Sequence, residues 1–150
     1  MPARTALLTA FGFVATFALL SGSQADCGQF DEKARADSET TIDVKAGTTR
    51  IDMKVGGMQF TFAKIEVSPP VDLVVKIRLK VAGSNTTEHD HDAEVKATLI
   101  GPGDEVLATM TKKREIEEDE SNKELTFDFR VTPEKMSAGL RFKLLLSYLP

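Results

Sequence analysis

The amino-acid sequence predicts an all-β protein folded as an antiparallel β-sandwich of about eight strands. Three observations lead to this fold class. Apolar and polar residues alternate with period two through most of the chain after residue 39, as they do in strands with one buried face. Turn-forming residues recur roughly every 8–12 positions. Strand-like and helix-like segments do not alternate along the chain, which argues against a parallel sheet with crossover helices.

The strongest alternation predicts a strand over residues 71–81. Its odd-numbered positions are all apolar: Val71, Leu73, Val75, Ile77, Leu79 and Val81. The even-numbered positions include the cations Lys76, Arg78 and Lys80. A strand places these two sets on opposite faces, whereas a helix would scatter the apolar side chains around its whole circumference. The basic face predicts either cross-strand ion pairs with Glu94 or Asp128 or a surface for an acidic partner.

Further strands are predicted wherever the alternation resumes, at residues 42–45, 51–55, 58–67, 93–99, 106–110, 125–131 and 140–148. Within residues 58–67 the parity of the apolar positions reverses near Ala63, between the set Met58, Phe60 and Phe62 and the set Ile65 and Val67. This reversal predicts a β-bulge or a strand that changes sheets. Residues 101–104 (GPGD) predict a turn, which makes residues 106–110 the return arm of a hairpin.

We expect at most one or two short helical turns. Thr132 is a suitable N-cap and Pro133 suits the first helical position, which predicts one turn of helix there. Residues 112–124 contain good helix formers and complementary charges at helical spacing. We favour a solvated hairpin loop with charged strand ends for this segment. The sandwich would have an immunoglobulin-like or fibronectin-like architecture, but the chain lacks the Cys…Trp…Cys set of true immunoglobulin domains.

Length and composition exclude several classes of function. The 150 residues allow one domain. With 19 basic and 23 acidic residues the net charge is −4, which provides no basic stripe for nucleic acid. A single Cys excludes an intramolecular disulfide and a CxxC metal site. The two His residues, with no GxSxG turn and no phosphate-binding glycine loop, predict a protein that is not an enzyme and has no catalytic or cofactor-binding residues.

Residues 1–25 have the pattern of a signal peptide. Arg4 precedes an apolar stretch at residues 6–20, and Ser23-Gln24-Ala25 resembles a cleavage site. The stretch is shorter than the roughly 20 apolar residues that cross a membrane, so we expect cleavage, no stable membrane span and a secreted or periplasmic location. Asp26 departs from the lipobox pattern before Cys27, so we expect no lipid anchor.

The remaining chain divides into two parts. Residues 26–39 are predicted to be a polar leader or linker, and residues 40–150 a single β-sandwich domain. Beyond residue 25 the chain has 18 basic and 23 acidic residues, a net charge of −5. Within the predicted domain, Asn85-Thr86-Thr87 is an N-glycosylation sequon, which indicates a surface loop and matters only in a eukaryotic secretory pathway.

One polar segment contains both histidines, Glu88-His89-Asp90-His91-Asp92. In an extended chain His89 and His91 project to the same face, and two imidazoles on one side suit Zn, Cu or Mn. A metal site needs at least a third ligand. We expect this to be a carboxylate from Glu88, Asp92 or Glu94.

The spacing of the glycines, histidines and glutamate around this segment also resembles the sequence motif of a known family. Gly83, His89, His91, Glu94 and Gly101 follow one another in an order that resembles the first signature of the cupin family. The resemblance implies that the His and Glu side chains hold a metal ion. The interval from His91 to Glu94 is one residue shorter than in the family, which in a strand moves Glu94 to the opposite face, and no further His remains for the family's second motif.

The sequence thus predicts an exported, non-catalytic β-sandwich module with a binding or structural role and a protein or surface partner that the sequence does not identify. The alternative hypothesis is a metal-binding protein that uses the segment of residues 88–92, with a cupin-like metal site as its most specific form.

Overall fold

The structure is a computed structural model that describes residues 31–150. The predicted signal peptide, Cys27 and the first part of the predicted leader lie outside the described residues. Residues Glu32–Pro150 form one compact unit. None of the described helices has the length and apolar character needed to cross a membrane.

Two four-stranded antiparallel sheets form a β-sandwich, which confirms the predicted fold class. The first sheet has the order β1-β8-β5-β6 and the second β2-β3-β4-β7. The strand bounds are β1 Ala36–Asp43, β2 Gly47–Val55, β3 Met58–Val67, β4 Val75–Asn85, β5 His91–Ile100, β6 Val106–Ile116, β7 Lys123–Val131 and β8 Arg141–Leu149. Side chains from both sheets form one apolar core, in which Phe60, Phe127, Phe142 and Tyr148 are fully buried.

Both predicted turns are present, one between β5 and β6 and one between β7 and β8. A 3-10 turn at Pro102–Asp104 joins β5 to β6, which form the predicted hairpin. Helix α1 spans Pro133–Ser137, and the Thr132 hydroxyl accepts a hydrogen bond from the Lys135 backbone N–H at 3.2 Å. Thr132 is therefore the N-cap that the sequence predicts, and the short helix joins β7 to β8.

The strand predicted over residues 71–81 begins later and ends later than expected, because β4 spans Val75–Asn85. Val71 and Val74 instead close a tight turn, in which Asp72 and Leu73 have φ angles of 52° and 63°. The Pro69-Pro70 pair before the turn has no backbone N–H for a sheet ladder, so the antiparallel pairing of β3 and β4 ends before it. Val71 and Leu73 thus continue the apolar alternation of the sequence, although their side chains are not buried in the core.

The reversal of parity in β3 is the predicted β-bulge. The register of β3 against β4 shifts between Phe60 and Phe62. Phe60 and Ala63 both have no exposed surface, whereas Phe62 is half-buried on the opposite face. The expectation that Phe62 shares a face with Phe60 is therefore wrong, because the bulge lies just before Phe62 and turns it outward.

The charged segment of residues 112–124 contains no helix. Its first part belongs to β6 and its last residues to β7, and the loop between them is solvated, as expected. However, β6 and β7 lie in different sheets, so the segment is a connection between sheets and not a hairpin.

The first strand starts inside the segment assigned to the leader. Ala36 pairs with Tyr148, and β1 follows β8 from there to Asp43. Four residues of the predicted leader, 36–39, therefore belong to the first sheet. The chain just before them lies at the end of the sandwich where β8 ends and β5 begins.

Candidate metal centre

His91 is the first residue of β5 and points toward the interior. In β5 the odd-numbered side chains face the core, and Ala93 has no exposed surface. The imidazole of His91 is only 9% exposed and packs edge-on against the ring of Tyr148, with 4.9 Å between ring centroids. Both ring nitrogens are buried and have no hydrogen-bond partner. Because His91 points inward at the end of β5, both of its ring nitrogens lie beneath the surface without a hydrogen bond.

The loop that carries His89 is held by the buried side chain of Asn85. The Asn85 amide nitrogen donates hydrogen bonds to the carbonyl oxygens of His89 at 2.7 Å and Ile116 at 2.8 Å. Its oxygen accepts from the Thr87 backbone N–H at 2.8 Å. Loop residues 86–90 are thereby anchored to the ends of β4 and β6, which determines where the His89 side chain leaves the loop.

Glu32 brings a carboxylate to the two histidines from the chain before β1. The Tyr148 hydroxyl donates a hydrogen bond to the Glu32 carbonyl oxygen at 2.7 Å. Glu32 Oε2 lies 2.7 Å from His89 Nδ1, and Glu32 Oε1 lies 3.7 Å from His91 Nε2. Each of the three side chains offers one donor atom, and these atoms lie within 4.8 Å of one another.

The carboxylates predicted as third ligands lie elsewhere. Glu88 is exposed on the loop, and Asp92 lies 3.6 Å from Lys113 Nζ. Glu94 lies 3.4 Å from Arg35 on the outer face of the first sheet, opposite in parity to His91. Within residues 31–150, Glu32, His89 and His91 form the one group of three possible ligands that the structure brings together.

Sequence reasoning missed Glu32 because the contact is not local. Glu32 precedes His89 by 57 residues and lies in a polar segment without alternation. The pairing of β1 with β8 brings them together, and no spacing pattern reports that pairing. The arrangement of His89, His91 and Glu94 that the cupin resemblance implies is not formed, because Glu94 and His91 lie on opposite faces of β5.

The donor atoms have the chemistry of a transition-metal site. Two imidazole nitrogens and one carboxylate oxygen suit Zn or Cu better than the oxygen-preferring Ca or Mg. Donors on one tetrahedral ion lie roughly 3.3 Å apart, because the bonds to the metal are about 2.0–2.2 Å long. The 3.7 Å between Glu32 Oε1 and His91 Nε2 is close to this spacing, and an ion would replace the hydrogen bond between Glu32 and His89.

The basic face of β4 forms cross-strand ion pairs. Arg78 Nε donates to Asp128 Oδ1 at 2.8 Å, and this hydrogen bond lowers the pKa of the Asp128 carboxyl. Lys80 Nζ lies 3.7 Å from Glu66. Of the two cross-strand partners expected from the sequence, Asp128 is present, whereas Glu94 lies in the other sheet.

Comparison with known proteins yields no relatives: no protein family model, no curated protein and no solved structure matches the chain.

Proposed function

We propose that this protein is an exported, non-catalytic β-sandwich module that binds a divalent transition-metal ion through Glu32, His89 and His91. The observation that carries the proposal is the buried imidazole of His91, which is 9% exposed and has two ring nitrogens without a hydrogen-bond partner. A buried polar group left unpaired costs about 1–3 kcal/mol. A bound metal ion would satisfy one of these nitrogens and thereby offset that cost.

The charges and exposure around the cluster support a cation as the ligand. The Glu32 carboxylate lies between the two imidazoles, and His89 is 71% exposed, so an ion can enter from solvent. Asp90 and Glu88 flank His89 in the same loop and add negative potential that attracts cations. Three protein ligands leave at least one coordination position of a four-coordinate ion for water or an external ligand.

Among the metals that suit this donor set, we expect Cu²⁺ and Zn²⁺ to bind more tightly than Mn²⁺. Nitrogen-containing sites follow the general order in which Mn²⁺ is weakest and Cu²⁺ strongest among these ions. A single carboxylate does not provide the oxygen-rich shell that would reverse the order. The test is therefore a titration with all three metals.

Isothermal titration of the purified protein without the predicted signal peptide, residues 26–150, with Zn²⁺ is expected to show one equivalent of binding. His89→Ala should weaken Zn²⁺ binding at least about 100-fold, because it removes a ligand. Since His89 is largely exposed, this substitution leaves the core intact. Glu32→Gln is expected to weaken binding as well, because the carboxylate charge is lost.

Glu94→Gln is the matched control, since Glu94 is a carboxylate of the predicted set that lies on the outer face of β5. It should leave the affinity for Zn²⁺ unchanged. The proposal is wrong if the protein binds none of the three metals, or if His89→Ala and Glu32→Gln bind Zn²⁺ as tightly as the native chain.

A further inference from the structure

The turn between β3 and β4 exposes apolar side chains at the end of the sandwich opposite to the metal centre. Val71 is 65% exposed and Leu73 is 79% exposed. Pro69 and Pro70, which precede them, are also exposed. We call residues 69–73 the apolar tip. The strand β4 begins just after this tip and runs to Asn85 at the metal centre, so the two sites lie at opposite ends of one strand.

The backbone of the apolar tip is unusual for the residues it carries. Asp72 and Leu73 have φ angles of 52° and 63°, in the left-handed region that tight hairpin turns normally fill with Asn and Gly. A Leu side chain is disfavoured in this conformation. Neither the backbone conformation nor burial therefore accounts for a Leu at this position.

Cations lie directly beside the apolar tip on the outer face of the second sheet. Lys76 and Arg130 are opposite one another in the register of β4 and β7. Like charges directly opposite each other destabilise a sheet, and across the described chain neither of them has an ion-pair partner within 4.0 Å. Together with Arg78, Glu66 and Asp128 they line a shallow surface groove of about 520 Å³.

The tip and the groove are connected by hydrogen bonds. The Ser68 backbone N–H donates to the Lys76 carbonyl oxygen at 2.9 Å, and the Lys76 backbone N–H donates to the Ser68 hydroxyl at 2.9 Å. Ser68 lies immediately before the tip. The apolar side chains and these two cations are thus parts of one surface unit.

We propose that this unit docks on an anionic lipid bilayer, with Val71 and Leu73 inserted among the headgroups and Lys76 and Arg130 facing the lipid phosphates. A small apolar area flanked by cations is the combination that holds peripheral proteins on membranes. Asp72 is the one carboxylate of the apolar tip. The groove also contains Glu66 and Asp128, but these pair with Lys80 and Arg78, so the charges of Lys76 and Arg130 outweigh the remaining charge of Asp72.

The size of the apolar tip favours a lipid surface over a protein partner. Specific protein interfaces bury roughly 800 Å² on each partner around a central apolar cluster, whereas the tip offers two large aliphatic side chains on a narrow turn. Lipid headgroups need no complementary shape, and their phosphates carry the charge that Lys76 and Arg130 would pair with.

Co-sedimentation with vesicles tests the proposal. The protein without the predicted signal peptide, residues 26–150, is expected to bind vesicles of phosphatidylcholine with phosphatidylglycerol, and to bind phosphatidylcholine alone less well. Leu73→Gly should lower the partition coefficient about tenfold, because an inserted side chain is lost. Glycine adopts the left-handed conformation readily, so this variant retains its fold and a loss of binding cannot be ascribed to unfolding.

A second variant separates the contribution of charge. Lys76→Gln with Arg130→Gln should lower binding to the anionic vesicles about tenfold or more and remove most of its dependence on salt. Met110→Gln is the matched control for Leu73→Gly, since Met110 is an exposed apolar residue of β6 outside the tip. It should bind as the native chain does.

Three results would overturn the proposal. The first is that the native protein binds neither kind of vesicle. The second is that Leu73→Gly binds vesicles as tightly as the native protein does. The third is that light scattering shows a self-associated native protein, that Leu73→Gly abolishes this self-association, and that neither protein binds vesicles. The last result would assign the tip to a second copy of the chain. Vesicle binding is expected to be the same with a chelator present, so failure of the metal-binding proposal would leave this one standing.

Discussion

At the scale of single residues, Tyr148 joins the two segments that carry the metal ligands. Its hydroxyl donates to the Glu32 carbonyl oxygen at 2.7 Å, and its ring packs against the imidazole of His91. Gly56 also packs against the ring, so closely that a Cβ there would lie 2.5 Å from Tyr148 Cδ1. The ring is therefore closely packed, and we infer that the hydroxyl positions Glu32 toward the imidazoles.

Tyr148→Phe tests this role, because it keeps the ring and removes only the hydroxyl. We expect Zn²⁺ affinity to fall about tenfold, as it does when a residue that orients a ligand is lost. The free energy of unfolding should fall by about 1 kcal/mol, the usual contribution of one hydrogen bond. Metal titration and urea denaturation measure the two effects separately.

Ser137→Ala serves as the control for this variant. Its hydroxyl donates to the Pro133 carbonyl oxygen at 3.0 Å in α1, at the other end of the sandwich. It should leave the affinity unchanged. If Tyr148→Phe loses stability but binds Zn²⁺ as the native protein does, Tyr148 supports the fold alone.

At the scale of elements, the connection between β4 and β5 depends on Asn85. Its amide donates to two main-chain carbonyl oxygens, so the nitrogen that glycosylation would modify is already engaged in the folded protein. Asn85→Asp would place a carboxylate against both carbonyls. We expect the free energy of unfolding to fall by about 2–4 kcal/mol, because two acceptors lose their donor and a charge is buried.

Asn122→Asp is the matched control for that substitution. Asn122 is exposed, and its side-chain oxygen accepts from the Thr61 hydroxyl at 2.9 Å, which a carboxylate does equally well. Urea denaturation should show a change within about 0.5 kcal/mol. Similar losses for the two variants would contradict the assigned role of Asn85.

Another element, the edge strand β6, shows that the inward-facing positions of a strand need not be apolar. Its inward-facing positions include Lys112 and Arg114, opposite the buried Val95 and Ala93 of β5. Lys112 Nζ lies 5.9 Å above the ring of Phe127, and Arg114 donates to the Glu124 carbonyl oxygen at 2.9 Å. Inward-pointing charges of this kind protect an edge strand against pairing with other chains.

At the scale of the whole molecule, a bound ion would tie together parts of the chain that are distant in sequence. Glu32 lies before β1, whereas His89 lies in the connection from the second sheet to the first. Binding to the folded state alone stabilises by about 2.7 kcal/mol at a free ion concentration 100 times the dissociation constant. We therefore expect Zn²⁺ to raise the melting temperature by about 10 °C.

Scanning calorimetry with and without Zn²⁺ measures this shift. Glu32→Gln should melt close to the native protein without metal and show little or no increase with Zn²⁺. An equal increase in the variant would mean that the ion acts elsewhere on the chain.

The sequence by itself determined the fold class, most strands, the irregularity in β3 and the Thr132 cap. Each of these depends on neighbouring residues, because the pleat of a strand and the first turn of a helix impose local periods and local hydrogen bonds. The two histidines were likewise found from their spacing, since His89 and His91 are only two residues apart.

Only the tertiary structure decided which carboxylate meets the histidines, where β4 begins and which sheet β6 joins. Glu32 reaches His89 because β1 pairs with β8, and Val71 and Leu73 are exposed because the pairing of β3 with β4 ends before them. Strand pairing depends on the sum of contacts across both sheets. A local pattern shows which side chains can face a core, but not which strands share it or what lies at its ends.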